Sequence, residues 1–141
     1  MQVREHMSAP AIVVSPETPV ARAMEILRSR RIGRLPVVAD GRLVGIVSEP
    51  DLLRAMPSPA TSLTVWEMPE LLERLPVREV MTPDVVVVEP TTRVQDAAQL
   101  MVDRRIGGLP VVEDGRVVGI ITETDVFRVL VAILNGATAA V

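Results

Sequence analysis

The sequence predicts a mixed fold of the α/β (α+β) class, with two pseudo-symmetric units that each run strand, helix, strand, strand, helix. Three observations predict it. The chain repeats itself at a spacing of 74 residues, because 24 of the 49 residues in Met7–Ala55 are identical in Met81–Val129. Each copy carries an Asp-Gly pair between two apolar runs, which is a strong hairpin signal. Apolar residues make up 48% of the chain and aromatic residues only 1%, which indicates an aliphatic core.

Each copy begins with a short apolar segment, Ala11–Val14 or Val85–Val88, which we expect to be a strand. A helix should follow in both copies, because apolar residues then recur at helical spacing. Its expected N-caps are Thr18 and Thr92, and Pro19 suits the first helical position. The expected buried faces of these two helices are Val20, Ala23, Met24 and Leu27, and Val94, Ala97, Leu100 and Met101.

A glycine should end each of these helices. Gly33 and Gly107 are expected in the left-handed conformation, which glycine adopts without steric cost. Two strands then follow in each copy, and Asp40-Gly41 or Asp114-Gly115 joins them as a tight turn. A last helix should begin just after the second of these strands.

The repeat predicts the domain organisation. We expect a first unit at 1–56, a linker with a short helix at 57–77, and a second unit with a C-terminal helix at 78–141. Within the linker, Pro57–Pro59 should break the preceding helix, and the short helix should cover about Pro69–Leu75. One such unit is too small to bury both faces of its sheet, so the two units should pack together through their sheets across a pseudo-twofold axis.

Missing residue types argue against several function classes. The chain has no Cys and no Lys, and His6 is its only imidazole, so we predict no enzyme, no catalytic residue, no metal site and no required cofactor. A net charge of -3 without a basic stripe argues against nucleic-acid binding. The sequence shows neither a signal peptide nor an apolar run of the roughly 20 residues that span a membrane, so we expect a cytoplasmic protein.

The residues least explained by core packing lie at the hairpin ends, in Gly45–Asp51 and Gly119–Asp125. Each segment contains a strand glycine, which often marks the close approach of a ligand or of another backbone. Each also places a hydroxyl at a helix N-terminus, which favours an anion such as phosphate, and an acid that can accept hydrogen bonds from ribose hydroxyls. The hydroxyls are Ser48 and Thr122, and the acids are Asp51 and Asp125.

The same residues have a second interpretation that needs no ligand. A hydroxyl followed three residues later by an acid is also a capping-box pattern, which satisfies the helix's own amides. The residues alone leave the two interpretations open. The copies differ at Pro50 and Thr124: the proline removes one amide from the first turn, so the second copy should hold a phosphate better.

Both copies resemble CBS domains, the modules named after cystathionine β-synthase, whose pairs form Bateman modules. The resemblance covers Met7 to about Arg128 and rests on MSAPAIVV and MTPDVVVV, on RIGRLPVV and RIGGLPVV, and on the two glycine-hydroxyl-acid endings. It implies a pair of parallel-sheet lobes with clefts between the CBS units that bind AMP, ADP, ATP or S-adenosylmethionine as regulatory ligands. The layout is similar to acetoin-utilisation-type CBS proteins, which continue into an ACT domain, so we expect either a natural short form or a truncated chain.

The family's binding residues carry over by position. The resemblance implies that the two acids contact the ribose and that the two hydroxyls lie beside the phosphate. The residues implied for the adenine slot are Ile12, Ile32, Pro36, Thr82, Val85, Val86, Ile106 and Pro110. The candidate counter-charges for a phosphate are Arg31, Arg34, Arg105 and Arg128, since guanidinium groups can bind phosphate through two hydrogen bonds. The second copy has Gly108 in place of Arg34, so the two sites need not share a ligand.

Two functions follow from these residues. The first is a non-enzymatic sensor of adenosine-containing ligands that acts on an unidentified regulated protein or missing domain. The alternative is a structural dimerisation module without a physiological small ligand. A homodimer is expected because Val126–Gly136 is apolar around almost its whole circumference, and because the family pairs its modules through helices.

Overall fold

The computed structural model describes residues 1–56 and 67–140, which form two compact units. The first unit is Ile12–Val85, and the second unit combines Met1–Ala11 with Val86–Val141. Each unit therefore contains residues from both sequence repeats. The expected helix break at Pro57–Pro59 lies outside the described residues.

The described residues of the first unit form one hairpin and three helices. Its elements are α1 (Val20–Arg30), β1 (Arg34–Ala39), β2 (Arg42–Ser48), α2 (Glu49–Arg54) and α3 (Glu67–Arg74), followed by a 3-10 turn at Val77–Glu79. The helix expected at about Pro69–Leu75 is therefore present as α3.

The second unit repeats this order around the second hairpin. Its elements are a 3-10 turn at Val3–Glu5, α4 (Val94–Arg104), β3 (Gly108–Glu113), β4 (Arg116–Thr122) and α5 (Glu123–Ala140). The mixed helix-and-strand class is confirmed. The parallel sheet that the resemblance implied is not what the strands form, because β1–β2 and β3–β4 are each antiparallel pairs.

Both hairpins turn at the Asp-Gly pairs. Asp40 and Gly41 have φ of 51° and 77°, and Asp114 and Gly115 have φ of 53° and 79°. Positive φ at both central residues is the geometry whose twist suits two adjoining antiparallel strands, and Asp and Gly tolerate it well. The hairpin prediction is therefore confirmed in both copies.

The strands expected at Ala11–Val14 and Val85–Val88 are wrong in extent. Only Val14 pairs with β1, in a parallel bridge in which its amide bonds to the carbonyl of Pro36 at 3.0 Å. Continuing this ladder would need an amide from Pro36 in one direction and from Pro16 in the other, and proline has none. Val88 is likewise limited to a single parallel bridge, because Pro110 and Pro90 lack the amides that would extend it.

The outer edge of each hairpin is covered by a segment that begins the other repeat. Thr82 pairs with Ile46 on β2 through two backbone hydrogen bonds of 2.8 and 2.9 Å. Ser8 pairs with Ile120 on β4 through bonds of 2.9 and 3.0 Å. The second strand of each hairpin is thereby shielded from pairing with another chain at this point.

The expected caps at the starts of α1 and α4 are wrong. The Oγ1 atoms of Thr18 and Thr92 accept hydrogen bonds from Ser15 and Glu89 in the preceding turns, so they stabilise those turns instead. The N-cap residues are Pro19 and Arg93, and neither makes a side-chain cap. A side-chain cap is not needed for the first helical amides, because those of Val20 and Val94 donate to the carbonyls of Leu75 and Met1.

The expected glycine ends of α1 and α4 are also wrong. The left-handed residues are Arg31 and Arg105, each with φ of 55°, and both lie two residues before the predicted glycines. Gly33 and Gly107 instead place their carbonyls to accept the first helical amides of α2 and α5.

Each unit has its own aliphatic core. In the first unit the predicted face of α1 is buried together with residues of the hairpin and with Leu52 of α2. In the second unit, three predicted residues of α4 are buried, and the fourth, Leu100, is half-buried against that core. The C-terminal helix α5 begins at Glu123, just after the second strand as expected. Among the described residues, no helix combines the length and apolar character needed to cross a bilayer.

Candidate functional site

The first hydroxyl-acid pair forms a capping box at the junction of β2 and α2. The Oγ of Ser48 accepts a hydrogen bond from the Asp51 amide at 3.3 Å, and Oδ2 of Asp51 accepts one from the Ser48 amide at 2.9 Å. The other carboxylate oxygen, Oδ1, accepts a hydrogen bond from Arg54. Both oxygens of Asp51 are therefore engaged within the first unit.

The second pair has the same backbone bonds and a different side-chain arrangement. Oδ2 of Asp125 accepts from both the amide of Thr122, at 2.8 Å, and its hydroxyl, at 3.1 Å. The Asp125 amide reaches Oγ1 of Thr122 at 3.4 Å. Oδ1 of Asp125 has no hydrogen bond among the described residues, and Nη1 of Arg128 lies 3.8 Å from it.

The two carboxylates lie in surroundings with little solvent. The side chain of Asp125 is 7% exposed and that of Asp51 is 11% exposed. Oδ1 of Asp125 is not one of the fully buried, unpartnered side-chain atoms in the described part of the chain, so a ligand can reach it from solvent. The open oxygen of Asp125 is therefore the atom in this region best suited to accept a ligand hydroxyl.

The first-turn amides of α2 and α5 also differ. The amides of Glu49 and Glu123 donate to the carbonyls of Gly33 and Gly107, each at 3.0 Å. Pro50 has no amide hydrogen, whereas Thr124 has one, and its amide makes no recorded bond within the part of the chain that the structure describes. The second copy therefore retains one helix-start donor that the first copy lacks, and the expected preference for phosphate stays a prediction.

The strand glycines are explained by packing without a ligand. A Cβ at Gly45 would lie 2.5 Å from Sδ of Met81, and one at Gly119 would lie 2.6 Å from Sδ of Met7. The two contacts are equivalent in the repeat. Of the two interpretations offered for these glycines, the close approach of another chain segment accounts for both.

The residues expected to form the adenine slots divide between the two units. The first unit contains five of them and the second unit three. The isoleucines and Val86 pack against the aliphatic cores, and both prolines are buried in β1 and β3, so all of these residues have a packing role. The first unit holds Ile12, Ile32, Pro36, Thr82 and Val85, and the second holds Val86, Ile106 and Pro110.

One residue beside the second site was not among the predicted site residues. Ser8 pairs with β4 as Thr82 pairs with β2, so each hairpin end has a hydroxyl residue from the start of the other repeat beside it. The repeat alignment places Ser8 opposite Thr82 and could have identified it. The alignment does not show that each of these segments pairs with the hairpin of the other repeat.

The four arginine candidates occupy two kinds of position. Arg31 and Arg105 are exposed left-handed residues that follow α1 and α4. Arg34 is the cross-strand partner of Ser48, whereas Gly108 is the partner of Thr122. Arg128 lies on α5 with its side chain 77% exposed. The difference at Arg34 and Gly108 therefore falls directly opposite the two site hydroxyls.

Two cavities of the second unit have neither Thr122 nor Asp125 in their linings. One of about 450 Å³ adjoins the Asp114-Gly115 turn, at the opposite end of the hairpin. The other, of about 160 Å³, lies between α4 and α5 and is lined by Ala98, Met101, Val102, Glu123, Val126 and Phe127. Exposed large apolar residues continue from it along α5: Phe127, Leu130, Val131, Ile133 and Leu134.

The comparison with known proteins gives one family match for each repeat. The family model for the CBS domain matches residues 3–58 and again residues 77–132. CBSX2, a chloroplastic protein of Arabidopsis thaliana, has a solved structure in complex with AMP; it is 35% identical, with a TM-score of 0.78, over 94% of this chain and 97% of that one.

Two further solved structures are similar over nearly the whole chain. The CBS domain pair of protein MJ0100, in complex with 5′-methylthioadenosine and S-adenosyl-L-methionine, is 29% identical with a TM-score of 0.78, over 94% of this chain and 97% of that one. The Vibrio cholerae protein named AcuB, for acetoin utilization, is 29% identical with a TM-score of 0.79, over 96% of this chain and 93% of that one.

Proposed function

Because this chain belongs to the CBS-domain family, we propose that it is a non-enzymatic regulatory module that binds an adenosine-containing ligand at the hydroxyl-acid pair of each compact unit. The ligand class is AMP, ADP, ATP or S-adenosylmethionine. It would act as a regulatory ligand, not as a cofactor in catalysis. Related CBS pairs bind AMP in one case and S-adenosylmethionine in another, which supports this class.

The observation that carries the proposal is the open oxygen of Asp125. Its carboxylate is nearly buried, and Oδ1 has no hydrogen-bond donor among the described residues. A ribose hydroxyl would supply that donor in a charge-assisted hydrogen bond. The amide of Thr124, at the start of an 18-residue helix, adds a donor for an anionic group of the same ligand. The adenine-slot residues and the arginine counter-charges belong to this proposal as well.

A thermal-shift experiment with a nucleotide panel tests the proposal. We expect AMP or a relative at millimolar concentration to raise the Tm of the wild-type protein. The Asp125→Ala variant should stay folded, and its ligand-induced rise in Tm should lose the contribution of the second site. Asp103→Ala is the matched control, because it removes an exposed acid from α4 in the same unit, and its shift should equal that of the wild type. A panel that moves no Tm contradicts the proposal.

The second candidate function is a structural dimerisation module. It is favoured by the capping bonds, which are complete in both copies without any ligand, and by the exposed apolar residues of α5. On this hypothesis, replacing either aspartate lowers stability and changes no ligand response. The ligand-induced shift in Tm therefore distinguishes the two functions, whereas stability alone does not.

The setting in which the module acts is also proposed. Self-association through α5 would cover apolar area that water otherwise contacts, so we propose a homodimer in either function. We place the protein in the cytoplasm with an unidentified regulated protein or domain as its target. Ligand binding can bias such a target only if the ligand binds two states of the module with different affinity.

A further inference from the structure

The two sites use the same residue types with different hydrogen bonds. In the first unit, Oδ1 of Asp51 accepts from the guanidinium of Arg54, the last residue of α2. In the second unit, the equivalent Arg128 stands 3.8 Å from Oδ1 of Asp125, beyond hydrogen-bond distance. The repeat therefore has the arginine in both copies. In the first copy it is hydrogen-bonded to the carboxylate, and in the second copy it forms an ion pair with the carboxylate without a hydrogen bond.

The hydroxyls differ in the opposite sense. The Thr122 hydroxyl donates its hydrogen to Oδ2 of Asp125. Both hydrogen bonds that Oδ2 accepts therefore come from Thr122. The Ser48 hydroxyl accepts from the Asp51 amide, and no acceptor for its own hydrogen is recorded among the described residues. The first unit thus offers a ligand a hydrogen-bond donor, and the second unit offers an acceptor.

A ribose is recognised through its neighbouring 2′ and 3′ hydroxyls, which need an acceptor at the site. We propose that the second unit reads these hydroxyls through Asp125, and that Arg54 makes the first unit nearly indifferent to them. This inference rests on the proposed function, and it assigns Arg54 as the residue that sets the difference in specificity between the two units.

The size of the effect follows from the exposure of Arg54. Its side chain is 71% exposed, and an exposed ion pair contributes at most a factor of about five to an equilibrium. A hydrogen bond to a carboxylate contributes about tenfold or more. A ligand that displaces Arg54 therefore keeps about a twofold advantage from its 2′ hydroxyl in the first unit, against about tenfold in the second.

The test compares AMP with 2′-deoxy-AMP by NMR titration of the ¹⁵N-labelled protein. The amides of Ser48 and Thr122 report the two sites separately. We expect the loss of the 2′ hydroxyl to weaken binding about tenfold at the Thr122 site and about twofold at the Ser48 site. Arg54→Ala should raise the ratio of the Kd for 2′-deoxy-AMP to the Kd for AMP toward tenfold at the Ser48 site. Arg74→Ala is the control for charge, because it removes an exposed arginine from the same unit and should leave both ratios unchanged.

A ligand-free measurement separates this inference from the proposed function. The guanidinium of Arg54 should rotate slowly in the free protein, as seen in arginine side-chain NMR spectra, and that of Arg128 should rotate fast. Equal ribose discrimination at both sites, or no effect of Arg54→Ala, overturns the inference while AMP binding still supports the function. If AMP perturbs neither site, the proposed function and this inference both fail, even if the guanidinium of Arg54 rotates slowly in the free protein.

Discussion

Met7 packs directly on the backbone of Gly119, so closely that a Cβ on the glycine would lie 2.6 Å from the methionine Sδ. The same Cβ would lie 2.9 Å from the backbone carbonyl oxygen of Ser8. The side chain of Met7 can move, but this carbonyl is fixed by its hydrogen bond to Ile120. The start of the chain and β4 therefore fit together only because residue 119 has no side chain.

We accordingly predict that Gly119→Ala destabilises the protein by about 1–3 kcal/mol, the usual cost of an overpacked site. Gly45→Ala should behave alike, because its Cβ would lie 2.5 Å from Sδ of Met81 and 3.1 Å from the carbonyl oxygen of Thr82. Urea denaturation measures both effects. Gly33→Ala is the control, since a Cβ there meets nothing within 4 Å. Equal stability of all three variants would contradict the packing argument.

These contacts also show what the sequence could and could not predict. The Asp-Gly turns follow from local chemistry, because few residue pairs tolerate two positive φ values in succession. The pairing of Ser8 with β4 instead depends on which repeat supplies the edge segment of which hairpin. Two nearly identical segments offer the same hydrogen bonds and side chains, so the pattern of one sequence does not distinguish them.

The incorrect helix ends have a similar origin. Thr18 is a good N-cap by residue type, but its hydroxyl accepts a hydrogen bond from the Ser15 amide in the preceding turn. The first amide of α1 donates to the carbonyl of Leu75, which is distant in sequence. Gly33 is a good helix-ending residue by type, but α1 ends earlier, at Arg30. The candidate site was predicted as residue pairs; the bonds of Asp51 to Arg54 and of Thr122 to Asp125 depend on rotamers, which the spacing does not specify.

The left-handed arginines give a second prediction. A residue with a Cβ in this conformation costs about 1–2 kcal/mol, and glycine does not carry that cost. We expect Arg31→Gly to raise the free energy of unfolding by about 0.5–1 kcal/mol, since glycine's greater unfolded-state freedom offsets part of the gain. Arg30→Gly, one residue earlier at the last helical position of α1, should lower it by up to about 1 kcal/mol. Chemical denaturation of the two variants should show opposite signs; the same sign for both would contradict the assignment of Arg31.

The third prediction concerns the two aspartates in the absence of ligand. Asp51→Ala and Asp125→Ala each remove half of a helix-start cap, which costs about 0.5–2 kcal/mol. We expect the larger loss for Asp125, because its Oδ2 accepts two hydrogen bonds and its side chain is the less exposed of the two. Urea denaturation of nucleotide-free protein measures both values. A larger loss for Asp51 would show that its bond with Arg54 outweighs burial.

The last prediction concerns the apolar surface of α5. Phe127 is 59% exposed on this helix and adjoins Val102 of α4, which is 71% exposed, at the cavity of about 160 Å³ between the two helices. An exposed aromatic beside such a groove favours self-association, because burying it removes apolar area from water. We expect wild-type protein to be dimeric by light scattering and Phe127→Asp to be monomeric, since a carboxylate at that position would have to be desolvated in the interface. Val87→Asp is the matched control, because Val87 is 40% exposed elsewhere in the same unit. A monomeric wild type, or a Phe127→Asp variant that stays dimeric, would contradict the assignment of α5 as the dimer surface.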